Sequence, residues 1–309
     1  MRSTAADATA GTHEPWTVHI ALLGAQSGFA LFPIFGKLAL VTIPAMVLAA
    51  YRVAAAALLL EGARRLARAR ELEPADRKAV LLYGVLGVSL NQVLFILGLS
   101  LTTAINTTIL TATIPIFTLA VAVLLGREKM SRRAGIGMAL AAAGAFWLLN
   151  IHRFDWHSRS MRGNLLLLAN ALSYSFYLVL SRPILARYSV LTIVSRIFLF
   201  GALPILAVAS PFVVAFRPAR VTPLSWLSLS AVILVCTVIP YALNSWALAR
   251  THASRVAFYV FVQPLIASAL AVSVLGETLN ARTVSAAVLI FAGLAVSLVQ
   301  GRLPARPVP

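Results

Sequence analysis

Hydrophobic positions in this chain come in long unbroken runs rather than in stripes of helical or strand period. To within a few residues the runs fall at 17–40, 44–62, 79–99, 102–125, 133–150, 163–181, 187–210, 224–248, 253–275 and 281–300, with the charged residues gathered in the gaps. About 20 apolar residues cross the hydrocarbon core of a bilayer as a helix. The pattern therefore predicts an all-α integral membrane protein with ten transmembrane helices.

The runs also repeat. Shifting the numbering by 149 carries Ala104 onto Ala253, Pro115 onto Pro264, Glu128 onto Glu277, Arg133 onto Arg282 and Gly144 onto Gly293. Each copy is an apolar run with a central proline, a short turn (leu-gly-arg-glu at 125–128, leu-gly-glu at 275–277) and a second apolar run with a late glycine. Tyr51-Arg52 and Ser195-Arg196 correspond more loosely. Five helices per half is an odd number, so the second copy enters the membrane inverted. The expected layout is two inverted five-helix repeats at 17–150 and 163–300, joined by an external linker at 151–162, with tails at 1–16 and 301–309. Such halves can exchange outward-open and inward-open shapes about a midplane site.

Composition narrows this further. The chain is 60% hydrophobic and 11% charged, with a formal charge of +17. That charge does not point to nucleic acid, because the basic residues punctuate apolar runs instead of clustering on a polar face. Seventeen of the lysines and arginines lie outside the spans on the side of the two tails and seven on the opposite side, while Arg52 and Arg196 lie within spans. The positive-inside bias then puts both termini in the cytoplasm of a cell (inner) membrane protein. The first run reads as a retained span, since the polar residues before it carry only Arg2. A lone Cys236 inside an apolar run forms neither a disulfide framework nor a cysteine metal site, and no metal or cofactor is expected.

Ten spans in two halves, each ending in a proline helix, a leu-gly-glu turn and a glycine-bearing last helix, resemble the EamA-type branch of the drug/metabolite transporter superfamily. The resemblance covers about residues 18–300 and is carried most strongly by Gln263-Pro264 through Glu277 and by the arginines of helices 2 and 7; Arg127, inserted between Gly126 and Glu128, departs from it. It implies a carrier, usually an exporter of amino acids, small metabolites or drugs, with its substrate path between the halves. It leaves the substrate open, and monomer or homodimer undecided.

Polar groups inside spans mark where chemistry sits. The cavity candidates are Gln26, Asn91, Gln92, Asn106, Thr107, Thr111, Tyr174, Tyr177, Asn244, Trp246, Tyr259 and Gln263. Interhelical hydrogen bonding is the alternative role for each. Arg52 and Arg196 are intramembrane cations with two readings, a pair that attracts an anionic substrate group or caps for helix ends. Their sharing among family members with unlike substrates weighs toward the structural role. Pro115 and Pro264 are hinge candidates.

None of the nine acids lies near the middle of a span, so facilitated or weakly proton-coupled flux is expected, and Glu128 and Glu277 read as caps and partners for the arginines that follow them. The five histidines occupy tails, loops and span ends, which leaves no mid-membrane base for an enzyme. The leading expectation is export of an amino acid or similar amphipathic solute; export of apolar drugs, or import, is the alternative.

Overall fold

A computed structural model describes residues 16–127, 131–149, 158–251 and 253–298. Glu128, both tails and most of the linker lie outside the described residues. Those described are all helical, without strands. The helices are α1 (Trp16–Ala39), α2 (Ala45–Leu66), α3 (Pro74–Leu101), α4 (Ala104–Leu124), α5 (Arg132–Leu149), α6 (Arg159–Leu185), α7 (Val190–Ala215), α8 (Pro223–Leu248), α9 (253–275) and α10 (Ala281–Leu298). Seven of them are long and apolar enough to cross a membrane; α5, α9 and α10 contain shorter apolar helices. Large apolar side chains such as Leu58, Leu203, Phe212, Leu227 and Leu265 are exposed. Water would penalise such a surface, whereas lipid solvates it.

Hydroxyls and an amide start several helices, as side-chain oxygens do when they satisfy free N–H groups. Thr103 accepts from Asn106 N, Ser189 from Thr192 N, Thr222 from Ser225 N and Asn280 from Thr283 N. Gly126 and Gly276 end α4 and α9 in the left-handed region, at φ +67° and +64°, where a side chain would be strained. Between α6 and α7, Tyr188 Oη donates to Asp76 at the start of α3 (2.6 Å). That bond, with burial adding to it, raises the pKa of the Tyr188 phenol above its ordinary value.

Local irregularities recur at matching positions. A π-turn interrupts α3 at Val85–Leu90, and another interrupts α8 at Leu234–Val238. α4 breaks after Thr111 and restarts at Ile114, while α9 passes through a 3₁₀ turn at Tyr259–Phe261 and restarts at Val262. Pro115 and Pro264 therefore sit in the first turns of restarted helices. There a missing N–H is tolerated, so they do not interrupt a continuous mid-span ladder as expected.

The helices pair reciprocally between the halves. α1 packs on α8 as α6 packs on α3, α2 packs on α7, and α5 packs on α10. The first part of α4 lies on the last part of α9, and the first part of α9 lies on the last part of α4. The two halves interleave, and the main core cluster draws buried residues from both.

Glu277 illustrates the interleaving. Its carboxylate accepts from Ala104 N (2.7 Å) and Ile105 N (2.9 Å) and so caps the start of α4. This differs from the expected partnership with Arg282. The two N–H groups are among the four that a helix start leaves unpaired, and the positive end of the helix dipole favours an anion there.

Candidate functional site: a central polar cavity

Midway along the bundle, side chains of seven helices enclose a cavity with about 60 Å³ of water-accessible space. At about 10–15 Å³ per water it holds a few waters, so a larger solute requires its walls to part. The lining includes Gln26, Asn91, Gln92, Thr111, Tyr174 and Gln263 from the sequence candidates, together with Arg52 and Asn170. Its aromatic wall is formed by Phe29, Phe32, Phe95 and Tyr241 with Tyr174. Among these described lining residues there is no carboxylate.

Four helices meet in one hydrogen-bonded chain. Gln263 Nε2 of α9 donates to Gln26 Oε1 of α1 (2.5 Å), Gln26 Nε2 donates to Asn244 Oδ1 of α8 (3.1 Å), and Asn244 Nδ2 donates to Tyr174 Oη of α6 (3.1 Å). Asn244 is buried and joins the site through this chain without lining the cavity.

The π-turns explain several other positions. An i→i+5 turn displaces carbonyls from the regular α-helical ladder, and buried carbonyls need other donors. Along and beside the α3 turn, Leu86 O accepts from Ser173 Oγ (2.7 Å), Gly87 O from Tyr241 Oη (2.9 Å) and Asn91 O from Asn170 Nδ2 (2.7 Å). Beside the α8 turn, Val232 O accepts from Thr237 Oγ1 (2.6 Å). Tyr241 is a hub, because its hydroxyl also accepts from Gln92 Nε2 (3.0 Å) and lies 3.2 Å from Asn91 Oδ1. Tyr241→Phe leaves a buried amide and a carbonyl short of a partner, at about 1–2 kcal/mol. The expected result is a melting temperature lower by a few degrees in a fluorescence-monitored thermal ramp; an unchanged midpoint would deny the hub.

Arg52 enters from α2. It is 1% exposed, its Nε donates to Thr237 Oγ1 (2.6 Å), and its guanidinium lies 3.7 Å from the Phe32 ring centroid. It neither caps a helix end nor snorkels. Arg196 parts company with it: its guanidinium meets Glu61 (3.6 Å) and Glu71 (3.2 Å), in a cluster with Arg64. The expected pair of matched cations is therefore one cavity cation and one member of an ion-pair network, because Glu61 of α2 and Glu71 of the connection after it meet Arg196 on α7.

Other candidates lie elsewhere. Asn106 turns back to Thr102 Oγ1 (3.2 Å) and Thr107 to Thr103 O (2.8 Å), the local bonding that Asn and Thr favour near helix starts. Tyr177 is buried beside Tyr174, ring centroids 5.6 Å apart, outside the lining. Trp246 stacks under the Arg250 guanidinium at 4.1 Å, and the Tyr259 hydroxyl bonds His19. Sequence reasoning missed Tyr241 and the phenylalanines. For Tyr241 a signal existed, since it is the position that the 149-residue shift assigns to Gln92. The phenylalanines are ordinary members of apolar runs and carried none.

Interleaved apolar helices around a polar chamber define the class, a multi-pass membrane transporter. The chain belongs to the EamA-like transporter family, whose model matches residues 16–150 and again 161–299. It is 29% identical to Protein WALLS ARE THIN 1 of Arabidopsis thaliana, over 92% of this chain and 83% of that protein. It is 27% identical to an uncharacterized transporter of Archaeoglobus fulgidus, over 67% of this chain and 71% of the relative. It is also 27% identical to a protein of Salmonella typhimurium named a probable amino-acid metabolite efflux pump, over 59% and 63%. A crystal structure with 19% sequence identity shares the fold at a TM-score of 0.66, covering 92% of this chain and 98% of the other. By family the chain is a transporter and not an enzyme.

Proposed function

We propose that the protein is a carrier that exports a small amphipathic metabolite, an amino acid or a similar solute, by alternating access about the central cavity. In this reading all ten helices span the cell (inner) membrane as two inverted five-helix repeats, with both termini cytoplasmic. The observation that carries it is the Gln263–Gln26–Asn244–Tyr174 chain, which closes the chamber with groups from both halves. Reciprocal helix pairing and matched π-turns support the inversion. The name of the Salmonella relative supports efflux of amino-acid metabolites. Neutral amides and hydroxyls beside aromatic rings suit a solute with a polar head and an apolar body.

The described cavity lining offers no proton-binding carboxylate, Glu61 is held in ion pairs and Glu277 caps a helix. Exchange of labelled amino acids between proteoliposomes containing the purified protein is therefore expected to proceed without a pH gradient. Strict dependence on a gradient would overturn facilitated flux. Absence of exchange across a broad panel of amino acids and related metabolites would overturn the carrier reading itself.

A further inference from the structure

The cavity holds a charge that no described residue neutralises. Arginine stays protonated in proteins and presents five N–H donors. Arg52 is buried, lines the chamber and spends Nε on Thr237, yet its buried Nη1 has no hydrogen-bond partner. Among the described residues, Glu61, Glu71, Glu73 and Asp76 are paired with other arginines, and both oxygens of Glu277 are held at the start of α4. A buried cation is costly until an anion or further hydrogen bonds meet it.

We infer that Arg52 is the binding point for a carboxylate of the transported solute, so that the substrate class is organic carboxylates with an apolar body. The inference rests on the carrier reading above and adds to it the group that the site requires. Thr237, standing on the α8 π-turn, and the face of Phe32 hold the guanidinium from two directions. A planar fork fixed in this way matches a carboxylate in geometry as well as in charge. The remaining wall is aromatic, with Phe32 and Phe95 stacked at 4.6 Å and Phe29 edge-on to Tyr241 at 5.4 Å. That wall favours an organic anion over an inorganic one. Gln92 Oε1, also buried without a partner, is an acceptor for an N–H or O–H of the same ligand.

The test uses the full chain in detergent and three compounds with one body and different heads: 3-phenylpropionate, 3-phenylpropanamide and 3-phenylpropylamine, with sodium chloride as the inorganic anion. A ligand of the native state raises the unfolding temperature by mass action. Only the acid is expected to do so, and Arg52→Gln is expected to weaken its apparent affinity about 10- to 100-fold, the range for hydrogen bonds to charged groups. Should Arg52→Gln fail to fold, the wild-type series decides alone. Equal stabilisation by the amide or the amine, reproduction of the effect by chloride, or no effect of the acid overturns the inference. Flux separates it from the broader reading. Vesicles that exchange the labelled amine or amide but not the acid sink the carboxylate site and leave a carrier. Acid binding without exchange of any compound leaves the site and sinks the carrier.

Discussion

Gly28→Leu is expected to yield no folded protein, read as loss of the monodisperse peak when detergent extracts of a fluorescent fusion are run on a sizing column. Gly28 faces the π-turn of α8. A Cβ there would stand 2.5 Å from Pro240 Cγ and 2.7 Å from the backbone oxygen of Val235. Backbone cannot swing away as a side-chain tip can, so α1 and α8 must separate, and with them the contact that seats Gln26 against Asn244. Overpacking by even a methylene or two costs about 1–3 kcal/mol in a well-packed core. Four extra carbons against backbone exceed what a stability of about 5–15 kcal/mol absorbs. Gly62→Ala is the control. Nothing lies within 4 Å of its added Cβ, and helix propensity predicts a gain of about 1 kcal/mol. A folded, monodisperse Gly28→Leu protein would mean that the α1–α8 contact is looser than described.

Glu277→Ala is expected to lower the melting temperature by roughly 5 °C, with Glu277→Gln recovering part of the loss. The carboxylate is half-buried and serves two N–H groups of α4. Charge-assisted bonds at a helix start contribute about 1–2 kcal/mol each before solvent screening, and each kcal/mol shifts the melting point by about 2–4 °C in a domain somewhat smaller than this chain. Glutamine keeps an acceptor and loses the charge, so its intermediate position separates hydrogen bonding from the helix dipole. Equal melting of wild type and Glu277→Ala would remove the cap from the list of contacts that hold α4 to the other half.

Helix positions were legible in the sequence to within a few residues, because a bilayer demands long apolar runs and tolerates charge only between them. Half of the cavity residues were legible for the same reason, since Gln26, Gln92 and Gln263 are conspicuous in hydrocarbon. Helical phase was not. A span facing lipid on one side and apolar neighbours on the other has little amphipathic contrast, so Asn106 and Thr107 could not be told from Thr111 by pattern. Nor could pairings distant in the chain be read. Arg196 looked like the twin of Arg52 until α2 and the connection after it brought Glu61 and Glu71 to it, and Glu277 finds its partners 172 and 173 residues away. The π-turns left no mark in the apolar pattern, yet they decide where Tyr241 and Thr237 point.

Because each of the paired helices α1–α3 and α5 finds its main neighbour on a helix made later, the early segments leave the ribosome before their partners exist. During that interval Gln26 and Arg52 lie among lipid tails or shelter in the insertion machinery, without Asn244 or Thr237 to receive them. Assembly of this protein is thus a matter of waiting as much as of packing.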